Sequence, residues 1–181
     1  AHGTTTMCTY ATVHPASVDA FFTAARSRNL RAFAGKTCMD RNAPEGLRDT
    51  PQTAYDDSKA LLNRWHGRDR LSYVITPRFS PTSTPEQLAA LGTYEAQGLL
   101  GARAIFGHAI HLTPREKARL AEAGAALAHC PTSNTFIGSG LFDMTLASRL
   151  RVGLATDTGG GSNFSMLRTM AAAYEVAQLR G

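Results

Sequence analysis

Short apolar runs alternate with amphipathic helical patterns along the whole chain. The apolar runs predict strands over residues 4–13, 30–38, 71–76, 103–110, 125–129 and 152–156. Patterns of helical period predict helices over residues 17–28, 53–66, 84–96, 113–124, 144–150 and 165–179. Six strand-then-helix units in a row predict an α/β fold with a parallel sheet, and the apolar strands indicate burial on both faces.

Polar residues mark the carboxyl ends of several predicted strands, and their distribution helps to choose between two α/β architectures. The residues at or just beyond strand ends are Arg78, His108, His129, Asn134 and Asp157. Barrel enzymes collect their catalytic groups from the ends of several different strands. An open doubly wound sheet would instead concentrate them at one switch point. The pattern therefore favours part of a (β/α)8 TIM-type barrel over the open sheet.

Composition narrows the classes of function. Apolar residues make up 43% of the 181-residue chain and charged residues 18%, as in ordinary globular domains. The net charge of +5 makes nucleic-acid binding a candidate function. Because the basic residues are scattered along the chain, however, no nucleic-acid partner is expected. No apolar run is long enough to predict a membrane span. Cys8, Cys38 and Cys130 are odd in number and far apart, which indicates a reducing, cytoplasmic setting.

His108 and Asp157 are the strongest candidates for chemistry. His108 lies inside an apolar strand between Gly107 and Ala109, whose small size leaves room beside the ring. It is either a hydrogen-bonded core histidine or a functional one. Asp157 ends the last predicted strand, where a carboxylate binds a metal, moves a proton or caps the next turn. The glycines after it permit close approach of backbone and ligand, but a P-loop lysine is lacking.

Two further motifs leave alternatives open. The run from His129 to Asn134 is interpreted as a polar loop, and a zinc site from His129 and Cys130 alone is not expected because neighbouring strand residues project in opposite directions. Arg78 and Phe79 pair a planar donor fork with an aromatic face, which suits a flat ligand bearing carbonyl groups. The alternative for Arg78 is a surface ion pair. In the second predicted helix, the inward positions are Tyr55, Leu61, Leu62 and Trp65.

Taken together, these segments resemble the guanine deaminases of the amidohydrolase superfamily. The similarity is carried by Gly3–Thr6, Cys38–Pro44, Thr76–Phe79, Phe106–His108, His129–Asn134, Gly138–Gly140 and Thr156–Gly160. The HCPxSN run and the strand-ending Thr-Asp mark the wider aminohydrolase group. The CMDRNAP and TPRF runs point more narrowly to guanine deaminases.

The resemblance implies an amidohydrolase-type barrel that hydrolyses guanine to xanthine and ammonia with one zinc ion. By the same resemblance, Asp157 is a zinc ligand that also handles a proton, and His108 polarises the water or the substrate. Arg78 and Phe79 would contact the purine. The partner implied is a small-molecule purine substrate. Assembly into a homodimer is an alternative that the resemblance leaves open. Alternatives are another purine, pterin or triazine ring as substrate, or a non-enzymatic scaffold that kept the barrel.

The chain departs from the family pattern at three places. The family's H-x-H zinc pair would lie before Ala1, and the family's C-terminal part would lie after Gly181. The strand bearing H-x-S-E is missing between Gln97 and Gly98. Residues 1–181 are therefore expected to form part of one barrel domain that lacks an internal segment and both chain ends. Because Asp157 would be the main zinc ligand left, this stretch alone is not expected to be active or to build a complete zinc site.

Overall fold

The computed structural model describes residues 4–78, 80–90 and 100–180. The chain divides into two compact units, which we call the N-terminal unit, Thr5–Thr93, and the C-terminal unit, formed mainly by Tyr94–Gly181. Every strand pairing in the described residues is parallel. Strands and helices alternate in both units, so the predicted α/β class with parallel sheets is confirmed.

In the residues that the structure describes, the N-terminal unit contains five strands and three α-helices. In chain order they are β1 (Thr6–Tyr10), α1 (Pro15–Ser27), β2 (Arg31–Gly35), β3 (Thr37–Cys38), α2 (Pro51–Trp65), β4 (Leu71–Tyr73), β5 (Thr76–Pro77) and α3 (Pro85–Ala90). The strand order β1-β2-β4 forms one sheet, and β3 pairs with β5 separately. Val18 and Phe22 of α1 pack in one buried cluster with Leu61 of α2 and with Leu71 and Tyr73 of β4.

A buried lysine separates β2 from β3, where the sequence predicts one strand over residues 30–38. Lys36 is 0% exposed, and its Nζ lies 2.7 Å from Asp49 Oδ2 and 3.8 Å from Asp57 Oδ2. At Gly35 a side chain would stand 2.0 Å from the carbonyl oxygen of Val74, so only glycine fits beside the neighbouring strand. The single predicted strand is therefore wrong: β2 ends at Gly35, the buried Lys36 follows, and β3 then pairs with a strand of a different sheet.

The C-terminal unit follows the same plan, and its described part, residues 100–180, contains three strands and three α-helices. They are β6 (Ile105–Gly107), α4 (Pro114–Glu122), β7 (Ala126–His129), α5 (Pro131–Ile137), β8 (Arg151–Leu154) and α6 (Met166–Arg180), with a short 3-10 helix at Met144–Ser148. The sheet order is β6-β7-β8. Thr113 caps α4 in a capping box with Glu116, as the sequence predicts. Leu120, Leu127, Phe142 and Leu146 form the core of this unit.

Two sequence predictions about helices are wrong. The run after His129, interpreted as a polar loop, forms α5, because Pro131 occupies the first helical turn and Gly138 ends the helix in a left-handed conformation. On α2 the buried face holds Ala54, Ser58 and Leu61. Tyr55 and Leu62, predicted to point inward, are exposed.

None of the helices in the described ranges is both long enough and apolar enough to cross a membrane.

The Lys36–Asp49 pair gives a stability prediction. Burial raises the pKa of the Asp49 carboxyl, and the Lys36 ammonium opposes that shift. Asp49→Asn leaves a buried ammonium facing only the more distant Asp57. We expect the free energy of unfolding to fall by about 3–5 kcal/mol, the usual cost of breaking a buried pair from one side.

Urea titration followed by circular dichroism measures this change. The matched control is Glu122→Gln in the solvent-exposed Arg119–Glu122 pair, which should cost no more than about 1 kcal/mol. Equal losses in the two variants would contradict a special role for the buried pair.

Candidate active site

Two of the residues singled out in the sequence meet at the carboxyl end of the β6-β7-β8 sheet. His108 follows β6 directly, and Asp157 lies three residues beyond β8. The Nε2 atom of His108 is 3.8 Å from Oδ2 of Asp157. Their side chains are 48% and 35% exposed, so both remain accessible to a ligand. The structure therefore brings an imidazole and a carboxylate together with open space beside them.

A buried amide holds the other side of the imidazole. The Nδ1 atom of His108 lies 2.8 Å from Oδ1 of Asn134, which is 1% exposed and belongs to α5. Asn134 lies in α5, the helix that was not predicted from the sequence. Its contact with His108 was therefore not predicted either. The imidazole is thus bonded on its Nδ1 side, and its Nε2 faces Asp157.

The backbone is unusual at both of these residues. His108, Ala109 and Asp157 have φ values of +65°, +51° and +47°, in the left-handed region that side chains other than glycine seldom adopt. The amide of His108 still donates to the carbonyl oxygen of Ala128 at 2.9 Å, so the strand pairing extends one residue beyond β6 before the chain turns. Such conformations cost about 1–3 kcal/mol each and concentrate at functional sites. At this site, the left-handed backbone at His108 and Asp157 sets the directions of their side chains at the strand ends.

The glycines after Asp157 are required by close packing. Their amides donate to the carbonyl oxygen of Asp157, at 3.0 Å from Gly160 and 2.6 Å from Gly161. A side chain at Gly161 would stand 2.1 Å from the carbonyl oxygen of Thr156. One at Gly160 would stand 2.9 Å from Oδ2 of Asp157. The glycine run therefore lets the chain fold back tightly beside the carboxylate, while the close approach of a ligand stays a prediction.

Cys130 joins this group, which sequence reasoning missed. The metal-ligating atoms of His108, Cys130 and Asp157 all lie within 4.8 Å of one another. Burial raises the pKa of the Cys130 thiol to about 11, and its Sγ donates to the carbonyl oxygen of Ala128 at 3.4 Å. The thiol is therefore protonated at neutral pH. A metal ion would have to displace that proton before the sulfur could become a ligand.

His129 points away from the catalytic candidates. It is 0% exposed, and its ring stacks on Phe142 with 4.5 Å between centroids. Within the described part of the chain, neither ring nitrogen has a hydrogen-bond partner.

In the N-terminal unit, Arg78 follows β5 and is exposed. Its amide donates to the carbonyl oxygen of Cys38 at 3.0 Å. Phe79, the other proposed purine contact, lies outside the described residues. The structure thus places Arg78 at a strand end, as expected, while its role in recognition stays a prediction.

Side chains of the CMDRNAP run, residues 38–44, form hydrogen bonds to the segment that follows Arg78. Asp40 accepts hydrogen bonds from the amide of Thr84 at 2.8 Å and from the Thr84 hydroxyl. Asn42 donates to the carbonyl oxygen of Pro81 at 2.6 Å. Thr84 in turn accepts from the amide of Gln87 in the first turn of α3. This motif therefore has a structural explanation: its polar side chains hold the loop between β5 and α3.

Comparisons with known proteins show which family and which relatives the chain is similar to. Residues 91–180 match the family model described as "Amidohydrolase family". The chain is 42% identical to guanine deaminase of Escherichia coli (strain K12), with 99% of this chain and 50% of the relative covered. It is 36% identical to a probable guanine deaminase of Deinococcus radiodurans over the same shares. The chain belongs to the amidohydrolase family.

Solved structures of amidohydrolases confirm the fold. Guanine deaminase of E. coli superposes with a TM-score of 0.94 over 99% of this chain and 52% of that protein. Guanine deaminase from Bradyrhizobium japonicum, 34% identical, gives a TM-score of 0.94 over 99% of this chain and 48% of that one. The predicted amidohydrolase fold is therefore confirmed. The chain spans about half the length of the relatives it matches.

Amidohydrolases generally depend on a metal ion. The donors at this amidohydrolase site suit zinc, which binds carboxylate oxygen and imidazole nitrogen. A catalytic zinc site needs three protein ligands and an open position. The described residues contribute the Asp157 carboxylate and, close to it, the His108 ring. The donor set is therefore compatible with zinc and makes up part of a complete site.

The buried His129 gives a prediction about acid stability. Burial lowers its pKa from 6.5 to about 4. The unfolded chain therefore takes up a proton below about pH 6.5 while the folded chain does not, and stability falls from pH 6.5 towards pH 4. Above pH 6.5 this residue contributes no pH dependence. The shift corresponds to about 3 kcal/mol.

Free energies of unfolding at pH 7.5 and pH 4.5 test this. His129→Met should reduce the loss of stability between the two values, since methionine fills the space without titrating. Ile137→Met, at an exposed side chain that does not titrate, should leave the loss unchanged. An undiminished loss in His129→Met would contradict the assignment.

Proposed function

We propose that the protein containing this chain is a zinc-dependent aminohydrolase that converts guanine to xanthine and ammonia. The observation that carries the proposal is the His108–Asp157 pair at the strand ends of a chain 42% identical to E. coli guanine deaminase over 99% of its length. The triazine hydrolases that share the fold are far less similar, with 19% identity to the one from Arthrobacter aurescens. That degree of similarity supports the fold alone, so guanine is the preferred substrate.

Asp157 would hold the metal through its carboxylate and take up the proton that the attacking water loses. Zinc, when bound, makes water acidic enough to act as a nucleophile near neutral pH. Water would add at the amidine carbon, the carbon–nitrogen bond would break, and the nitrogen would leave as ammonia with the proton that Asp157 had taken from the water. His108 would hydrogen-bond through Nε2 to the water or to the substrate. At 3.8 Å, Nε2 of His108 and Oδ2 of Asp157 are close enough for one ligand to contact both.

Arg78 would recognise the purine instead of taking part in the chemistry. Its guanidinium offers several donors in one plane, which matches the acceptors along the edge of a flat heterocycle. Phe79 would supply an aromatic face for the same ring. Both assignments rest on the TPRF motif and its resemblance to the guanine deaminases. The exposure of Arg78 at the end of β5 is compatible with a role in binding.

The remaining zinc ligands and the proton-shuttling glutamate would come from segments outside this chain. We propose that one such segment, the H-x-S-E strand, belongs between Gln97 and Gly98. The match with E. coli guanine deaminase extends over 219 residues, although this chain has only 181. This difference supports an internal stretch present in the relative and missing here. A sequence of the complete protein without H-x-S-E at this point would overturn the proposal.

The two roles predict different kinetic defects in the full-length protein. Asp157→Ala should remove activity at every guanine concentration and lower the zinc content. Arg78→Ala should retain zinc and lose catalytic efficiency by about 2–4 kcal/mol, if its hydrogen bonds strengthen in the transition state. Arg78→Lys should not restore full efficiency, because a point charge cannot reproduce the planar fork.

Steady-state kinetics of ammonia release, together with metal analysis, separate these outcomes. Arg68→Ala is the matched control, since Arg68 is an exposed arginine in the turn between α2 and β4 of the same unit. It should leave kcat, KM and zinc content unchanged. Near-normal turnover in Asp157→Ala would remove the basis for the assignment of the site.

A further inference from the structure

We propose that Asn134 is a positioning residue that fixes the tautomer and ring orientation of His108. In this arrangement, Nδ1 of His108 carries the hydrogen and donates it to Asn134, and Nε2 is left with its lone pair on the side of Asp157. The catalytic consequence rests on the proposed function. The tautomer of the His108 ring can be tested by spectroscopy, without measuring enzyme activity.

The first support is the contrast in burial between the two partners. Asn134 is 1% exposed, whereas the His108 side chain is about half exposed. An exposed imidazole at a strand end is free to rotate unless a neighbour holds it. The 2.8 Å contact between Nδ1 and Oδ1 comes from the buried partner, so Asn134 determines the position of the ring.

The second support is the rigid attachment of Asn134 itself. Its amide donates to the carbonyl oxygen of Cys130 at 2.9 Å, within α5. Its own carbonyl oxygen accepts from the amide of Ser139 at 3.0 Å and from the Ser139 hydroxyl at 3.3 Å. His111 also bonds the carbonyl oxygen of Ser139 through Nε2 at 2.9 Å. The backbone that carries the amide is therefore tied on both sides of the contact.

The third support is the chemistry of the contact. An amide oxygen can only accept, so a ring nitrogen that bonds to it must carry a hydrogen. In a neutral imidazole the other nitrogen then has no hydrogen. That nitrogen, Nε2, faces Asp157 at 3.8 Å. A lone pair at this position can receive a hydrogen bond from water, which the opposite tautomer could not do.

Nitrogen-15 spectra of the histidine rings test the tautomer directly in the metal-free chain above pH 8. Two-bond correlations distinguish a ring nitrogen that carries hydrogen from one that does not, and His108→Gln assigns the His108 signals. We expect hydrogen on Nδ1. Asn134→Leu should shift His108 to a mixture of tautomers, whereas Asn134→Asp, which keeps an acceptor oxygen, should preserve it. Phe136→Leu, at an exposed position on the same helix, should have no effect.

Kinetics of the full-length protein provide a second measurement, which does not require residues 1–181 to fold in isolation. We expect Asn134→Leu to lower kcat by about 10- to 100-fold, as is typical when the partner of a functional histidine is removed, with little change in KM. In a His108→Ala background, Asn134→Leu should have no further effect on kcat, because both residues act through one ring.

The outcomes separate this inference from the proposed function. Hydrogen on Nε2 in the parent chain, or an unchanged tautomer in Asn134→Leu, would overturn the positioning role even if guanine is deaminated. A full additional loss of kcat in the His108→Ala background would overturn it as well. Absence of guanine deamination with the expected tautomer would overturn the function and leave the positioning role intact.

Discussion

The parallel pairing of β6, β7 and β8 is the constraint on which the candidate site depends. Gly107 pairs with Ala128, and His129 pairs with Leu154, so the three strands end within a residue or two of one another. In a parallel sheet all carboxyl ends lie on one edge. Residues that follow these strands, although about fifty positions apart in the chain, therefore meet there. A shift in register would separate His108 from Asp157.

Local strain accumulates where these strands end. Left-handed backbone at His108 and Asp157 is unfavourable for residues with side chains. The glycine run after Asp157 relieves crowding that any side chain would cause. The strand pairing on one side and the buried α5 contact on the other hold these conformations in place. Such conflicts between local preference and tertiary structure are expected at functional positions, because the side chains must point where a ligand can reach them.

Buried and partly buried polar groups organise each unit separately. In the N-terminal unit, Lys36 is held by Asp49 and Asp57, and Asp40 fixes the segment leading into α3. In the C-terminal unit, buried Asn134 holds His108. A buried polar group is costly unless it is bonded, so each contact restricts the local structure to one arrangement. The loops at the strand ends are thereby held by side chains from neighbouring elements.

The sequence by itself determined the α/β alternation and five of the six α-helices in the described residues. It also selected His108 and Asp157 as candidates for chemistry, a choice that stays a prediction. These follow from apolar periodicity and from polar residues placed where strands end, both of which are local properties. Its motifs also identified the amidohydrolase family. It could not reveal the break at Lys36 or the exposed Tyr55, because both depend on which elements pack together in the folded chain. It interpreted the residues around Asn134 as a loop, since a helix of seven residues shows too little periodicity to detect. Only the tertiary structure placed Asn134 and Cys130 beside His108, because those contacts join residues more than twenty positions apart that no local pattern connects.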